Sequence, residues 1–320
     1  MSLSEFKLID HFFNTASNTS STVNVGIGDD CAVVTIPDGQ QIAISTDTLV
    51  EGVHFLADSE PELLGHKVLA VNLSDLAAMG AKPAWVSLAL TLPKADEVWL
   101  TKFSQGFFKL AQQFSVHLIG GDTTQGPLTI SLTIMGLLPL GKGLKRSAAK
   151  AGDGIYVSGQ IGNGGLGLIK AIKGETNLAD KELKHYLQPM PQIELGEALL
   201  PLANACIDVS DGLFADLNHI LKASKVGASI EIERIPTSDA VKKHLLGQDD
   251  IYWASSAGDD YQLCFTLSAE AELNSTIKKL LNDNLITKIG TIEACLGLRV
   301  ISRQGETIVF NKGYEHFNES

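Results

Sequence analysis

Residues 25–55 read VGIGDDCAVVTIPDGQQIAISTDTLVEGVHF. Two apolar runs of strand character, Cys31–Ile36 and Gln41–Ser45, flank Pro37-Asp38-Gly39. Proline presets φ for a turn and glycine supplies a positive φ, so the spacing predicts a β-hairpin. Asp29-Asp30 precedes the first run, and the second leads into Ser45-Thr46-Asp47. Acids therefore stand at both ends of the unit, beside backbone expected to be half buried. Carboxylates brought together repel unless something positive lies between them. Hard oxygen ligands at a sheet edge suit Mg²⁺, which completes its shell with water and substrate phosphate. Any one of these acids alone also reads as a turn or cap residue.

The chain has 320 residues, long for a single core, so two domains are expected. With 44% hydrophobic and 19% charged residues it has the composition of a packed protein rather than a disordered one. A net charge of −12 argues against binding nucleic acid through its phosphates. Cys31, Cys206, Cys264 and Cys295 show no CxxC spacing and read as buried free thiols of a reducing compartment. The opening MSLSEFKLIDHFF lacks the basic start and long apolar stretch of a signal peptide. No apolar run reaches the roughly 20 residues a membrane span requires. The expected location is the cytoplasm, with no nucleic-acid or membrane partner.

Residues 3–13 have helical spacing, and a polar stretch at 14–24 reads as a loop. Pro61 starts a helix that runs to about Met79, with Gly80 at its C-terminal cap and Pro83 beyond. That helix is apolar almost all round from Val68, the pattern of a buried element. Asn72 and Asp75 share one face of it, and a buried, ionised Asp75 needs a partner, for which a cation is favoured over a cap or salt bridge. Residues 83–92 read as a strand and 96–114 as a helix. A strand at 116–119 ends in Gly120-Gly121-Asp122, whose glycines would let backbone approach a ligand, and 127–138 reads as a fully buried strand. The stretch 140–153 is the most basic in an acidic chain. It reads as a linker in which Arg146 offers a two-pronged fork for phosphate, while Lys142, Lys145 and Lys150 read as solvated. The domains are then 1–140 and 154–320, with 141–153 between them.

After a strand at 154–159, Gly162, Gly164 and Gly167 match the G-x-G-x-x-G fingerprint of dinucleotide sites. No second strand ending in an acid follows, so these glycines are assigned to tight strand–helix packing instead. Residues 192–202 read as a helix, and 204–221 as a strand turning into a helix, with Asp208, Ser210 and Asp211 crowding the turn. One of the three is expected to cap the helix, leaving at least one carboxylate free. Alternating elements continue through 255–267, a helix near 269–281 and strands near 286–301. Asp30, Asp47, Asp75, Asp122, Asp208 and Asp211 all follow or interrupt an apolar element. No phosphate-binding GxxxxGK[ST] loop and no protein-kinase motif is present. If the chain handles phosphate, several Mg²⁺ ions must carry most of the positive charge.

GIGDDCAVV, ISTDTLVEGVHF, VNLSDLAAMGAKP, GGDTT, KRSAAKAGD, IDVSDGL and GDDYQL, in this order and spacing, resemble the thiamine-monophosphate kinase family. The likeness runs from about residue 5 to Phe317. The wider superfamily is that of aminoimidazole ribonucleotide synthetase and selenophosphate synthetase. The resemblance implies ATP-dependent phosphorylation of thiamine monophosphate to thiamine diphosphate. It also implies an α/β (α+β) fold of two domains, and a homodimer whose N-terminal sheets join into a β-barrel across the two-fold axis. Carried over residue by residue, it implies Mg²⁺ on Asp30, Ser45, Thr46, Asp47, Asp75, Asp122, Asp208 and Asp211. It implies nucleotide near Gly121, Asp122, Arg146 and Ser210, and thiamine monophosphate against His54, Asp259 and Tyr314.

Two departures stand out. Ser104 replaces the family's usual nucleotide-facing tyrosine, and Asp259 replaces a substrate-facing glutamate one methylene longer, with Asp260 beside it as the competing acid. The nucleophile implied is a phosphate oxygen of the substrate, already largely anionic at neutral pH because its second pKa is about 6. No general base is then needed, and direct in-line transfer is expected. Residues 1–24 hold no cysteine, unlike the selenophosphate-forming relatives, and the chain ends Asn318-Glu319-Ser320, unlike the cysteine-ended hydrogenase-maturation relatives. Another ATP-using enzyme of the superfamily, or a non-catalytic MgATP-binding protein, is the alternative that motifs leave open.

Overall fold

The computed structural model describes residues 5–14, 20–246, 252–302 and 307–310. Contacts divide the chain into two compact units, one of residues 1–76 and 81–142, the other of residues 77–80 and 143–320.

In the first unit, α1 (Glu5–Phe12) is followed by β1 (Val23–Val25), β2 (Val33–Val34) and β3 (Gln40–Val50). Then come α2 (Pro61–Met79), β4 (Lys82–Leu92), α3 (Glu97–Gln113), β5 (His117–Gln125) and β6 (Thr129–Pro139). The four long strands form one sheet in the order β3-β6-β4-β5, antiparallel except for β4 and β5, which α3 joins in parallel. The predicted hairpin around Pro37-Asp38-Gly39 does not form. The turn is present, with Gln40 N–H donating to the Pro37 carbonyl, but β2 pairs with β1 and β3 pairs with β6. The long strand β6 offers β3 an eleven-residue ladder, far more than a two-residue β2 supplies.

Helix α2 is buried as its all-round apolar pattern predicts. Val68, Leu69, Leu73 and Ala77 are at most fractionally exposed, and Leu76 packs on Gly136 of β6. Glu60 Oε2 accepts the N–H groups of Glu62 and Leu63 at the start of the helix, where orphan donors need partners. The inner face of the sheet supplies Leu88, Leu90, Ile130, Leu132 and Ile134 to this core. Helices α2 and α3 meet backbone to backbone. A Cβ on Gly65 would lie 2.1 Å from the Phe103 carbonyl oxygen, and one on Gly106 would lie 1.8 Å from that of Glu62. Ser104 is buried between these contacts and donates to the Thr101 carbonyl of its own helix.

The second unit carries a seven-stranded sheet in the order β13-β12-β9-β11-β7-β10-β8. Its strands are β7 (Gly154–Ser158), β8 (Ala205–Val209), β9 (Gly227–Glu231), β10 (Gln262–Leu267), β11 (Ile286–Glu293), β12 (Gly297–Ile301) and β13 (Thr307–Phe310). Helices α4 (Asn163–Ile172), α5 (Lys181–Leu187), α6 (Ile193–Leu199) and α7 (Leu213–Ser224) lie between β7 and β9. Phe214, Leu217, Ile220 and Leu221 of α7 pack with Ile207, Val209, Ile230 and Val300 into one core. The stretch read as a linker is tied to this unit from Gly143 onward: Ser224 Oγ donates to the Arg146 carbonyl, and Gly152 N–H donates to that of Ile292. The result is a two-domain α/β fold with mixed sheets, and among the described residues neither sheet closes into a barrel. Cys206 and Cys264 are buried as expected, but Cys31 and Cys295 are exposed, because they sit in connections rather than in the strands their apolar neighbours suggested. Among the described residues no helix is long and apolar enough to cross a membrane.

The α2–α3 contact can be tested directly. Gly106→Ala should destabilise the protein by about 1–3 kcal/mol through overpacking against Glu62, read as a lower denaturation midpoint at unchanged slope. A wild-type midpoint would mean that the two backbones do not touch.

Candidate active site

Strand β3 alternates its side chains between two faces, and the alternation sorts the ISTD motif. Ser45 and Asp47 face α2, where Ser45 Oγ donates a short hydrogen bond to Asp75 Oδ2. Burial raises the Asp47 carboxyl to about 6, with the negative charge of Asp75 adding to the shift. Thr46 faces the other way and pairs its hydroxyl with that of Thr133 at 2.9 Å. On α2, Asn72 is fully buried; its Nδ2 donates to the Val68 carbonyl, while its Oδ1 has no hydrogen-bond partner. His54, past the end of β3, accepts the Val50 N–H on Nδ1 at 3.0 Å. In the neutral ring that puts the proton on Nε2.

A cavity of about 840 Å³ opens beside this strand's sheet, lined from α1, the 26–32 loop, β4 and β5. It brings Asp30 to Gly121 and Asp122, which lie far from it in sequence, and adds Asp10, Cys31 and Ser87. Glycine is obligatory at 121 for a reason the motif does not disclose. A Cβ there would lie 1.8 Å from the Leu88 carbonyl oxygen, so the residue permits strand β5 to close on β4. At Gly120 the space is open, and there the backbone is accessible. Ser104 is not among the residues lining this cavity.

In the second unit, Asp208 is the last but one residue of β8 and Ser210-Asp211 form the turn into α7. None of the three caps the helix; Gly212 takes the N-cap position at φ +108°. The turn's N–H groups go instead to Asp216, a residue that motif reading passed over. Its Oδ2 accepts from Ser210 at 3.0 Å and from Asp211 at 3.1 Å. Burial, with Asp208 and Asp211 nearby, pushes the Asp216 carboxyl up to about 8. The exposed side chain of Arg146 and that of Asp211 both act electrostatically on His219 of α7, which places them around the same helix.

The loop before β10 holds its two acids in different settings. Asp260 is fully buried, and its carboxylate accepts the N–H groups of Gly162 and Gly164 at 2.7 and 2.9 Å. An internal carboxylate thus takes the helix N-terminal N–H groups that a dinucleotide pyrophosphate would need. The glycines do serve close packing, but against a loop and a helix: a Cβ would lie 2.2 Å from the Asp259 carbonyl oxygen at Gly164, and 2.2 Å from that of Glu182 at Gly167. Asp259 is half-buried, sits at φ +64° and accepts the Tyr261 hydroxyl at 2.7 Å. Its N–H donates to the Ser210 carbonyl at 2.9 Å, which joins it to the 208–211 turn. Tyr314 lies outside the described residues.

The donors on these elements are hard oxygens, and crowded carboxylates are what a divalent cation relieves. Among the described residues no three His, Cys, Asp or Glu side chains already converge on one point. Mg²⁺ fits such a set, because it takes one or two carboxylates and fills its shell with water and phosphate.

The raised carboxyl of Asp47 makes a pH-dependent cost measurable without any ligand. Below about pH 3 the group is protonated folded and unfolded alike. As pH rises from 3.8 to about 6, the unfolded chain ionises first and stability is lost. In chelator-treated protein, Asp47→Asn should therefore gain stability of the order of 1 kcal/mol at pH 7 and almost none at about pH 3. Equal effects at both pH values in denaturant unfolding would show that Asp47 carries no such penalty.

Family models for AIR synthase related proteins match both halves of the chain, the N-terminal domain at residues 28–138 and the C-terminal domain at residues 150–302. The thiamine-monophosphate kinase of Escherichia coli strain K12 is 47% identical over 326 residues, with 99% of each chain covered. The crystal structure of thiamine-monophosphate kinase from Stenotrophomonas maltophilia K279a has a TM-score of 0.84 at 42% identity, covering 96% of this chain and 99% of that one. A further solved structure, AaThiL complexed with AMPPCP and TMP, has a TM-score of 0.78 at 32% identity and covers 99% of both chains. By these end-to-end similarities the chain belongs to the thiamine-monophosphate kinase family, within the AIR synthase related proteins.

Proposed function

We propose that this protein transfers the γ-phosphoryl group of ATP to thiamine monophosphate in the cytoplasm, forming thiamine diphosphate by direct in-line displacement. The observation that carries the reading is the full-length similarity to AaThiL complexed with AMPPCP and TMP, an ATP analogue and, by our reading, thiamine monophosphate. Nucleotide would enter the cavity bounded by Asp30, Gly121 and Asp122, and Arg146, Ser210 and Ser104 are proposed as further nucleotide-binding residues, as the resemblance implies. Thiamine monophosphate would meet His54, Asp259 and Tyr314. Asp259 is the acid for this role because Asp260 already serves the α4 N-terminus. The Tyr261 hydroxyl holds the shorter carboxylate in place.

Asp30, Ser45, Thr46, Asp47, Asp75, Asp122, Asp208 and Asp211 would hold several Mg²⁺ ions. When bound, these supply charge neutralisation between two polyanions and orient the phosphates. The residues themselves position both substrates and exclude water. No side chain is needed as base, since the attacking phosphate oxygen is largely ionised at neutral pH. The test is incubation of the full chain with MgATP and, separately, thiamine monophosphate, thiamine, an aminoimidazole ribonucleotide precursor and selenide. Thiamine diphosphate should form from thiamine monophosphate alone. Turnover only with another acceptor, or binding of ATP without turnover, would assign the chain to one of the alternatives.

The active form is proposed to be a homodimer. The sheet face opposite α2 is only partly covered, by Val23 and Val34 of the β1–β2 ribbon. Beyond them Ile44 is 64% exposed, and Thr46, Thr48 and Ala89 are exposed beside it. A second copy of the same sheet would cover this face and complete a barrel. Ile44→Glu should then yield monomers in sedimentation velocity where the wild type sediments as a dimer. A wild-type monomer would end the proposal.

A further inference from the structure

Asp216 lies on the first turn of α7 and is 3% exposed. A single oxygen, Oδ2, accepts both the Ser210 and the Asp211 N–H. From the other side, the Ser210 carbonyl accepts the Asp259 N–H, and Gly258 fits only because it lacks a side chain: a Cβ there would lie 2.4 Å from the Ser210 oxygen. The turn is therefore gripped on both sides through its backbone. Burying a third acid beside Asp208 and Asp211 is unfavourable, and an apolar side chain would fill the same space at less cost. What an apolar side chain cannot do is accept two N–H groups that have left regular secondary structure.

We propose that Asp216 is a positioning residue for phosphoryl transfer. By accepting both N–H groups it sets the turn that presents Asp208, Ser210 and Asp211 to Mg²⁺ and nucleotide. It acts through the turn and touches neither substrate. The same bonds reach Asp259 through Ser210, so the side chain that shapes the metal-facing turn also fixes the substrate-facing loop. This inference rests on the function proposed above.

The test is calorimetric titration of Mg²⁺ into the full-length protein saturated with a non-hydrolysable ATP analogue, with steady-state kinetics and thermal melts alongside. Asp216→Leu keeps the volume and removes the acceptor; Asp216→Asn keeps an oxygen that both N–H groups can reach. Asp216→Leu should weaken Mg²⁺ binding about ten- to a hundredfold, the usual cost of losing a group that orients a metal ligand. Its kcat should fall more than its KM for thiamine monophosphate rises. Asp216→Asn should bind Mg²⁺ as the wild type does. If Asn is as damaging as Leu, the charge itself is required, Asp216 is a ligand and the positioning role is overturned. If Leu lowers only the melting temperature, the residue is merely structural and the proposal is equally overturned. Should Asp216→Leu not fold, Asp216→Ala is read by the same criteria. Failure of the wild type to phosphorylate thiamine monophosphate would remove the function, while the Mg²⁺ isotherms would still decide what Asp216 does.

Discussion

Negative charge gathered where water is scarce is the constraint around which this protein is organised. Asp47 and Asp75 approach one another between β3 and α2, and Asp208, Asp211 and Asp216 crowd the start of α7. Each group raises the free energy of the folded chain at neutral pH. Packing on either side makes the arrangement tolerable: α2 is buried along almost its whole length, and α7 contributes five large apolar side chains to the second core. Marginal stability lets a protein carry such a cost only where function returns it. A cation in these clusters would convert the repulsion into binding free energy.

The carboxylates divide into those that are presented and those that are consumed. Asp260 and Asp216 are consumed: each accepts two backbone N–H groups, one pair at the start of α4 and the other at the turn before α7. Asp259 and Asp211, which the proposed function turns toward substrate and metal, take their positions from what the consumed acids hold. Asp259 has φ +64° and Tyr261 φ +48°, conformations that non-glycine residues adopt only when their surroundings require it. Here the surroundings are Asp260 locked into the glycine turn at 162–164, the Tyr261 hydroxyl on Asp259, and two backbone bonds to Val209 and Ser210. These bonds fix where the Asp259 carboxylate points.

The amino-acid sequence by itself determined the fold class, the buried character of α2 and the set of acids at the ends of apolar runs. These are matters of local pattern: a helix without a polar face has nowhere to go but inside, and an Asp after a strand stands at that strand's end. The family motifs likewise lie in the primary structure, in an order and spacing that chance does not supply. Tertiary structure decided the rest, because the deciding partners are distant in sequence. Only strand pairing shows that β3 prefers β6 to its neighbour β2, and that Gly121 is small for the sake of Leu88, 33 residues earlier. Only the placement of α4 against the 258–261 loop separates Asp259 from Asp260, which neighbour each other with the same side chain. Asp216 looked like any acid in the first turn of a helix. Its role rests on two hydrogen bonds that run back to the residues before the helix, and no periodicity records them.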